Sequence, residues 1–445
     1  MMDTRSILAA AAAVALTFIH NASASTDEPR FEVANAEVLA GDPVGVRITG
    51  LEPGALVLVT TQRAYGRSST LYRTNAAFRA DEDGVIDAIG DAPITGPWRG
   101  SDPCGLFWTM RNTGEPAPDN WSRDEVRFYA DVDGDGAHDI DTLVRLRQSI
   151  DGLVETPLGD AFPGAFLMRP PGDEPLPAIV VLGGSEGGDG TARSFAPRIA
   201  SRGYAVVGFP YYGSGDAGTP LERLPSAFHN IPLDDMERVR DWLRARDDIR
   251  HDRIGLWGVS KGAEFVLAAS SRIDGFAAVA AIVPSDVIWE GWGFGTTPGQ
   301  SSCFSWRGEP LDFVPYLGFM SEFSKGRRGI PVKIRIPQDA GRLANAESVE
   351  AARIRVEDID EPVFLVAGDG DDVWDSGGMA RNIKENRDAA GLETQLILNT
   401  RAGHYLSGDA YVPLREQYTA AVRREAFPAM LAFFERWIKS GESPG

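Results

Sequence analysis

The sequence predicts two folded parts, a small all-β sandwich and then a larger α/β domain built on a parallel sheet. Three observations carry this. Short strand-like runs broken by Gly, Pro and Asp fill the chain up to about residue 150. From about residue 160, apolar runs alternate with amphipathic helical stretches. A Gly-x-Ser-x-Gly pentapeptide then sits between one such run and a helix. At 445 residues, with 43% hydrophobic and 24% charged residues, the chain has core material for two or three domains. Lys and Arg total 44 against 64 for Asp and Glu, a formal net charge of −20. Nucleic-acid binding needs a basic face to displace counterions from phosphates, so so acidic a protein excludes it, and docking to anionic lipid with it. Ordinary Gly and Pro contents and plentiful apolar residues exclude collagen-like and disordered classes. The expected partner is a small molecule.

The first residues read as an address. Ile7 to Ile19 is an apolar run too short to span a bilayer, and Ala22-Ser23-Ala24 offers the small residues that a signal peptidase needs. The n-region departs from the usual pattern, since Asp3 offsets Arg5. Residues 1–24 are therefore expected to be a signal peptide, and the protein to be exported to the periplasm or secreted. No other segment reaches the length of a membrane span, so no stable membrane insertion is expected. Export implies an oxidising compartment. The chain has two cysteines, and a Cys104–Cys303 disulfide is expected on that ground.

Residues 25–155 are expected to form the sandwich. Phe31 to Val33, Val44 to Ile48 and Leu56 to Val59 are short strand signals, and Pro53-Gly54 and Asp83-Gly84 are turn signals between such runs. Within this part, Asp131, Asp133, Asp135 and Asp139 stand at positions 1, 3, 5 and 9 of a loop with Gly136 at position 6. That spacing wraps a chain around calcium, although Thr142 stands where an EF-hand has its bidentate Glu. An Asp-Gly hairpin turn explains the same residues without a metal.

Residues 156–445 are expected to form the α/β domain. Ala178 to Leu182 is a continuous apolar run, as in a parallel strand buried on both faces. Tyr204 to Phe209, Ile254 to Gly258, Phe276 to Val283, Val363 to Val366 and Gln395 to Leu398 repeat it. Between them, Leu233 to Arg246 places Met236, Val239, Trp242 and Leu243 on one helix face. The Gly-, Trp- and Phe-rich stretch from about 289 to 341 is irregular and reads as an inserted cap.

Gly258-Val259-Ser260-Lys261-Gly262 has the strand–turn–helix context of a nucleophile elbow, with Ser260 as the nucleophile; a helix N-cap serine is the plainer alternative. Its base should be a histidine. Of five, His20 lies in the signal segment, His138, His229 and His251 precede the elbow, and His404 follows the last apolar strand. The order Ser, acid, His is that of α/β-hydrolases. The acid belongs after Val363 to Val366, where Asp369, Asp371, Asp372 and Asp375 crowd. A Gly closing the strand and an Asp three residues on gives Gly368 and Asp371, with Asp372 as the alternative and the others as solvated turn acids. Such an acid holds the imidazole in the useful tautomer. The oxyanion hole needs two backbone N–H groups: one from Lys261, the other from the glycine-rich loop 183–188, with Ser185 first and Glu186 second. No cofactor is expected for catalysis. The G-x-G-x-x-G spacing of a nucleotide loop is absent.

These motifs resemble a known family, the acyl-CoA thioesterases and bile acid-CoA:amino acid N-acyltransferases. The resemblance rests on Leu182-Gly183-Gly184-Ser185-Glu186-Gly187-Gly188, Ile231-Pro232-Leu233-Asp234, Gly258 to Glu264, Gly368 to Ser376, Gly403-His404-Tyr405 and, in the first part, Asp102 to Met110. It implies an immunoglobulin-like first domain, an α/β-hydrolase domain, and the family's aspartate at Asp371. It also implies attack on an acyl thioester and an acyl-enzyme on Ser260. Family members that pass the acyl group to an amine tend to carry Cys at the nucleophile position, so Ser favours release to water. The family acts on CoA esters inside cells, whereas an export segment widens the substrate class to other esters, thioesters or amides. Lys325, Arg327 and Arg328 form the one local basic cluster available to CoA phosphates. The expected function is an exported serine hydrolase of acyl thioesters or related esters. The alternatives are an acyltransferase or amide hydrolase on the same residues, or a non-enzymatic surface-binding protein.

Overall fold

The computed structural model describes residues 28–66, 68–213, 219–293 and 295–441; the expected signal segment lies outside them. The larger part is an eight-stranded sheet in the order Val154–Pro157, Phe166–Arg169, Ala205–Gly208, Leu176–Leu182, Ile249–Val259, Ala278–Ile282, Val363–Gly368 and Thr394–Asn399. The first two strands are antiparallel to their neighbours and the rest are parallel. Strand order reverses at Leu176–Leu182, whose successor Ala205–Gly208 lies on one side and Ile249–Val259 on the other. Ligands of open α/β sheets bind beyond the carboxyl ends of strands at such a switch point.

The apolar runs are continuous because both faces of the sheet are covered. Ala178, Val180 and Leu182 pack into one core layer, and Ile179 and Val181 into the other. Helices Asp234–Arg244, Lys261–Ser270 and Ser376–Ala389 supply the first layer; Gly190–Ala200 and Gln417–Phe434 supply the second. Met236, Val239 and Leu243 are buried as their spacing predicts, while Trp242 is half-buried beneath the Arg246 guanidinium. Residues 289–341 hold three short strands and the helix Phe319–Ser324, and they enter the helix Arg335–Ala344. Among the described residues no helix is long and apolar enough to cross a membrane.

The first part contains a six-stranded sheet in the order Glu37–Leu39, Ile140–Arg147, Glu125–Asp131, Leu56–Tyr65, Thr70–Arg79, Arg111–Pro116. A three-stranded sheet of Arg30–Val33, Val46–Thr49 and Ile86–Asp87 accompanies it. Val46 and Ile48 of the small sheet share one core with Val57, Val59, Phe78, Phe128 and Val144 of the large one. Pairing is antiparallel except where Glu37–Leu39 runs parallel to Ile140–Arg147. Val154–Pro157 already pairs in the eight-stranded sheet, so that sheet begins two residues before 156.

The two parts interlock. Tyr411 and Ala420 of the larger part lie in the core of the first, and the Tyr411 ring meets Phe107 edge-on at 4.9 Å. The buried Arg63 guanidinium donates to the Tyr411 carbonyl at 2.8 Å, and Arg424 pairs with Asp102 at 2.6 Å.

The expected disulfide is absent: both cysteines are free and buried. Cys104 sits in the sandwich core and Cys303 in the α/β core against Lys261 and Glu264, so the two thiols are sealed into different hydrophobic layers. Burial, with Asp102 adding to it, pushes the Cys104 thiol up to about 12, and burial beside Glu264 pushes Cys303 well above its ordinary range. Neither is a thiolate at neutral pH. Folded protein is therefore expected to resist iodoacetamide, and protein denatured without reductant to take up two equivalents; uptake of none would restore the disulfide.

Candidate active site

The sharp turn at the end of Ile249–Val259 places Ser260 at φ 56°, ψ −120°. A non-glycine residue held there stores strain of about 1–3 kcal/mol, and such strain clusters at functional sites. The flanking glycines make the turn possible. A Cβ on Gly258 would stand 2.2 Å from the Gly262 carbonyl oxygen, and one on Gly262 would stand 2.3 Å from that of Gly183. The plainer alternative, a helix N-cap, is not what Ser260 does: its side chain makes no cap hydrogen bond.

His404, in the loop after Thr394–Asn399, reaches the turn from the far side. Its Nε2 lies 3.0 Å from Ser260 Oγ, and its Nδ1 lies 2.8 Å from Asp371 Oδ2 and 3.0 Å from Oδ1. Both Asp371 and His404 are buried. The Asp371 carboxylate is fixed further, since Oδ1 accepts the Val373 and Trp374 backbone N–H groups at 2.9 and 3.2 Å. Trp374 meets the imidazole edge-on at 5.9 Å. With Nδ1 protonated toward Asp371, Nε2 is free to take the Ser260 proton.

The neighbouring acids do other work. Asp372 is exposed. Asp369 and Asp375 are not the solvated turn acids expected: Asp369 is gripped at both oxygens by Arg381 at 2.7 Å, which holds its carboxyl below the usual range. Asp375 caps the helix Ser376–Ala389 through Gly378 N–H and pairs with Arg335 at 2.8 Å. His251 and His138 lie elsewhere, the former hydrogen-bonded to the Arg244 carbonyl and the latter stacked on Tyr129.

Ser185 and Lys261 border one cavity of about 220 Å³ together with Ser260. Among the described residues neither backbone N–H has a hydrogen-bond acceptor, as donors awaiting an oxyanion require. Glu186 does not border it. Its carboxylate turns back to accept the Gly184 N–H at 3.0 Å and the Thr191 hydroxyl, bracing the loop. Tyr211, which sequence reasoning missed, braces the same loop by donating to the Gly183 carbonyl at 3.0 Å.

The Lys261 side chain runs inward, where its ammonium pairs with the fully buried Glu264 at 2.7 Å and lies 5.4–5.8 Å from the ring centroids of Phe228, Trp292 and Phe304. Glu264 also accepts the Trp289 N–H and the Cys303 thiol. The pair thereby ties the elbow helix to two points of segment 289–341. Removing one partner of such a buried pair costs about 3–5 kcal/mol.

Most of the cavity wall is apolar: Trp292, Tyr316, Phe319, Phe323, Ile334, Val373 and Trp374. Four of these also line an adjoining chamber of about 740 Å³ that Met320 and Arg327 border. Sequence reasoning gave none of these residues a place in a cavity wall, although Val373 and Trp374 lie in the stretch Gly368 to Ser376 that it singled out. The only signal was the aromatic richness of the 289–341 stretch. In the first part, carboxylate oxygens of Asp131, Asp133 and Asp139 lie within 4.8 Å of one another, and Asp135 is not among them. Asp131 accepts the Gly134 and Gly136 N–H groups and Asp139 that of Val132, so the loop is closed by its own side chain-to-backbone hydrogen bonds.

Residues 41–132 match the acyl-CoA thioester hydrolase/BAAT N-terminal region, and residues 231–428 match the BAAT/acyl-CoA thioester hydrolase C-terminal region. Mitochondrial acyl-coenzyme A thioesterase 2 of Rattus norvegicus is 28% identical over 393 residues, covering 84% of this chain and 78% of that protein. Acyl-coenzyme A thioesterase 1 of Mus musculus is 27% identical over 388 residues, covering 84% of each. Among solved structures, Pyrococcus horikoshii acylaminoacyl peptidase is 14% identical with a TM-score of 0.44, covering 93% of this chain and 57% of that one.

Proposed function

Because the chain belongs to the acyl-CoA thioester hydrolase/BAAT family and is a hydrolase, we propose that it is an exported serine hydrolase that cleaves an acyl thioester through Ser260, His404 and Asp371. The observation that carries the reading is the hydrogen-bonded relay of 3.0 and 2.8 Å that ends on a strained serine at the carboxyl edge of the sheet. Ser260 Oγ attacks the acyl carbonyl as Nε2 takes its proton, and Asp371 stabilises the imidazolium. The Ser185 and Lys261 N–H groups receive the developing oxyanion. His404 returns the proton to the departing thiolate, and water then releases the acid from the acyl-enzyme by the same route in reverse. The acyl group occupies the aromatic cavity, and Arg327 at the adjoining chamber offers a cation to a CoA phosphate. Export to the periplasm or medium rests on the apolar run from Ile7 to Ile19.

We read the first part as an immunoglobulin-like sandwich, on the common core of its two sheets. A panel of acyl-CoAs and p-nitrophenyl esters of graded chain length tests the activity. Release of free CoA thiol with no amide product in the presence of glycine or taurine is expected. Ester cleavage without any thioester cleavage would overturn the thioesterase reading.

A further inference from the structure

One polar side chain of the Ser260 cavity has no role in the relay. Gln338, on the helix Arg335–Ala344, is 4% exposed and lines the cavity among aromatic and aliphatic walls. Its Oε1 is sealed from solvent and has no hydrogen-bond partner among the described residues. Nearly all buried polar groups are paired, and an orphan amide oxygen in a mostly apolar wall calls for a ligand that completes the amide once it turns. Helix neighbours Pro337 and Gly341 are buried too, so the side chain has little freedom to swing out to water. The terminal torsion of a glutamine is broad and roughly two-fold, so the amide can turn either its carbonyl or its NH₂ toward a ligand.

Resting on the hydrolase reading above, we infer that Gln338 recognises a hydrogen-bonding group of the substrate close to the scissile ester, a hydroxyl or a secondary amide. A plain hydrocarbon chain would leave the buried amide unpaired, and sites built to pair a substrate hydroxyl or N–H discriminate strongly against the analogue that lacks it. The cavity can take such a group together with a short acyl stretch: an engineered apolar cavity of about 150 Å³ already holds benzene, and this one is about 220 Å³. The polar group can belong to the acyl chain, as in a hydroxyacyl ester, or to the leaving arm, as in the amide-bearing thiol of a pantetheine.

Two substrate pairs separate these sources. The first is p-nitrophenyl 3-hydroxyoctanoate against p-nitrophenyl octanoate; the second is octanoyl-N-acetylcysteamine against the octanoyl thioester of ethanethiol. The wild type is expected to prefer the polar member of one pair. Gln338→Met, which keeps the side chain's length without its amide, should lower kcat/KM for that member about tenfold to a hundredfold and leave the plain partner nearly unchanged. Loss in the first pair assigns the acyl chain, and loss in the second assigns the leaving arm. A uniform change across all four substrates, or none, overturns the inference. If Gln338→Met fails to fold, the wild type decides alone, and discrimination below about twofold in both pairs overturns it. Calorimetric binding of 3-hydroxyoctanoate and N-acetylcysteamine, each against octanoate, needs no turnover. A wild type that cleaves none of the esters yet prefers either polar ligand in a Gln338-dependent way would sink the hydrolase reading and leave this recognition standing. Equal binding of all three would remove it.

Discussion

Ser260→Ala is expected to abolish labelling by a fluorophosphonate probe and to lower turnover by roughly 10³-fold or more. The triad of a serine hydrolase acts as a unit, so removing the nucleophile costs nearly as much as removing everything. What survives is the binding and oxyanion contribution of a site that otherwise stays intact. Here the substitution is local. The Ser260 side chain makes no cap bond for the helix behind it, and the turn is fixed by Gly258 and Gly262 rather than by the hydroxyl. Alanine at φ 56° keeps the strain that serine already bears, so the fold should hold and the effect should be confined to chemistry. Far-ultraviolet dichroism and the melting temperature check that separation. Labelling that persisted in Ser260→Ala would remove the serine from the mechanism.

Asp371→Asn should be comparably damaging, with a turnover loss on the order of 10⁴-fold at neutral pH and little change in the binding of an unreactive substrate analogue. The geometry gives a specific reason. The carboxylate accepts from His404 Nδ1 and also from the Val373 and Trp374 N–H groups. An asparagine has one acceptor and one donor end, so it must present NH₂ either to the imidazole or to two backbone donors. The first choice forces the imidazole into the tautomer that carries its proton on Nε2, where it cannot accept one from Ser260. The second choice breaks the turn that aims residue 371. Asp372 is exposed, and it enters the turn through its backbone carbonyl, which accepts the Arg335 N–H at 3.3 Å. Asp372→Asn should therefore cost less than about tenfold, or about 1.4 kcal/mol of barrier. Exchange of the two outcomes would move the orienting acid to Asp372.

The site was legible where its geometry is local. The elbow is five consecutive residues between a strand and a helix, and the Gly368-to-Asp371 offset is a property of one turn, so both are written in short stretches of sequence. The two-faced strands were legible for a similar reason: a run such as Ala178 to Leu182 has no polar face to hide. What failed was long-range. Whether Cys104 meets Cys303 depends on which core layer each joins, and no local pattern encodes that. Glu186, the second choice of oxyanion donor, does not border the cavity, and its carboxylate is folded back onto Gly184 and Thr191. Asp369 and Asp375 read as turn acids until Arg381 and Arg335 arrive from helices. The cavity wall escaped because aromatic residues from 292 to 374 converge only after the inserted segment folds back. The antiparallel edge strands and the parallel pairing of Glu37–Leu39 were missed because both are partner choices, which propensity does not fix.

The loop that presents His404 continues directly into Tyr411, whose ring is seated in the core of the other half of the molecule against Phe107. Leu414 follows, with its N–H on the Trp108 carbonyl and its own carbonyl taken by Arg111. The proton acceptor of the reaction is thus carried on a tether whose far end is anchored in a different hydrophobic core. The sandwich is in effect a foundation for the imidazole. The α/β half cannot be cut out as a free-standing enzyme without leaving Tyr411 and Leu414 bare and the tether slack. Damage to the sandwich interior, far from any substrate, would reach the chemistry as a misplaced base.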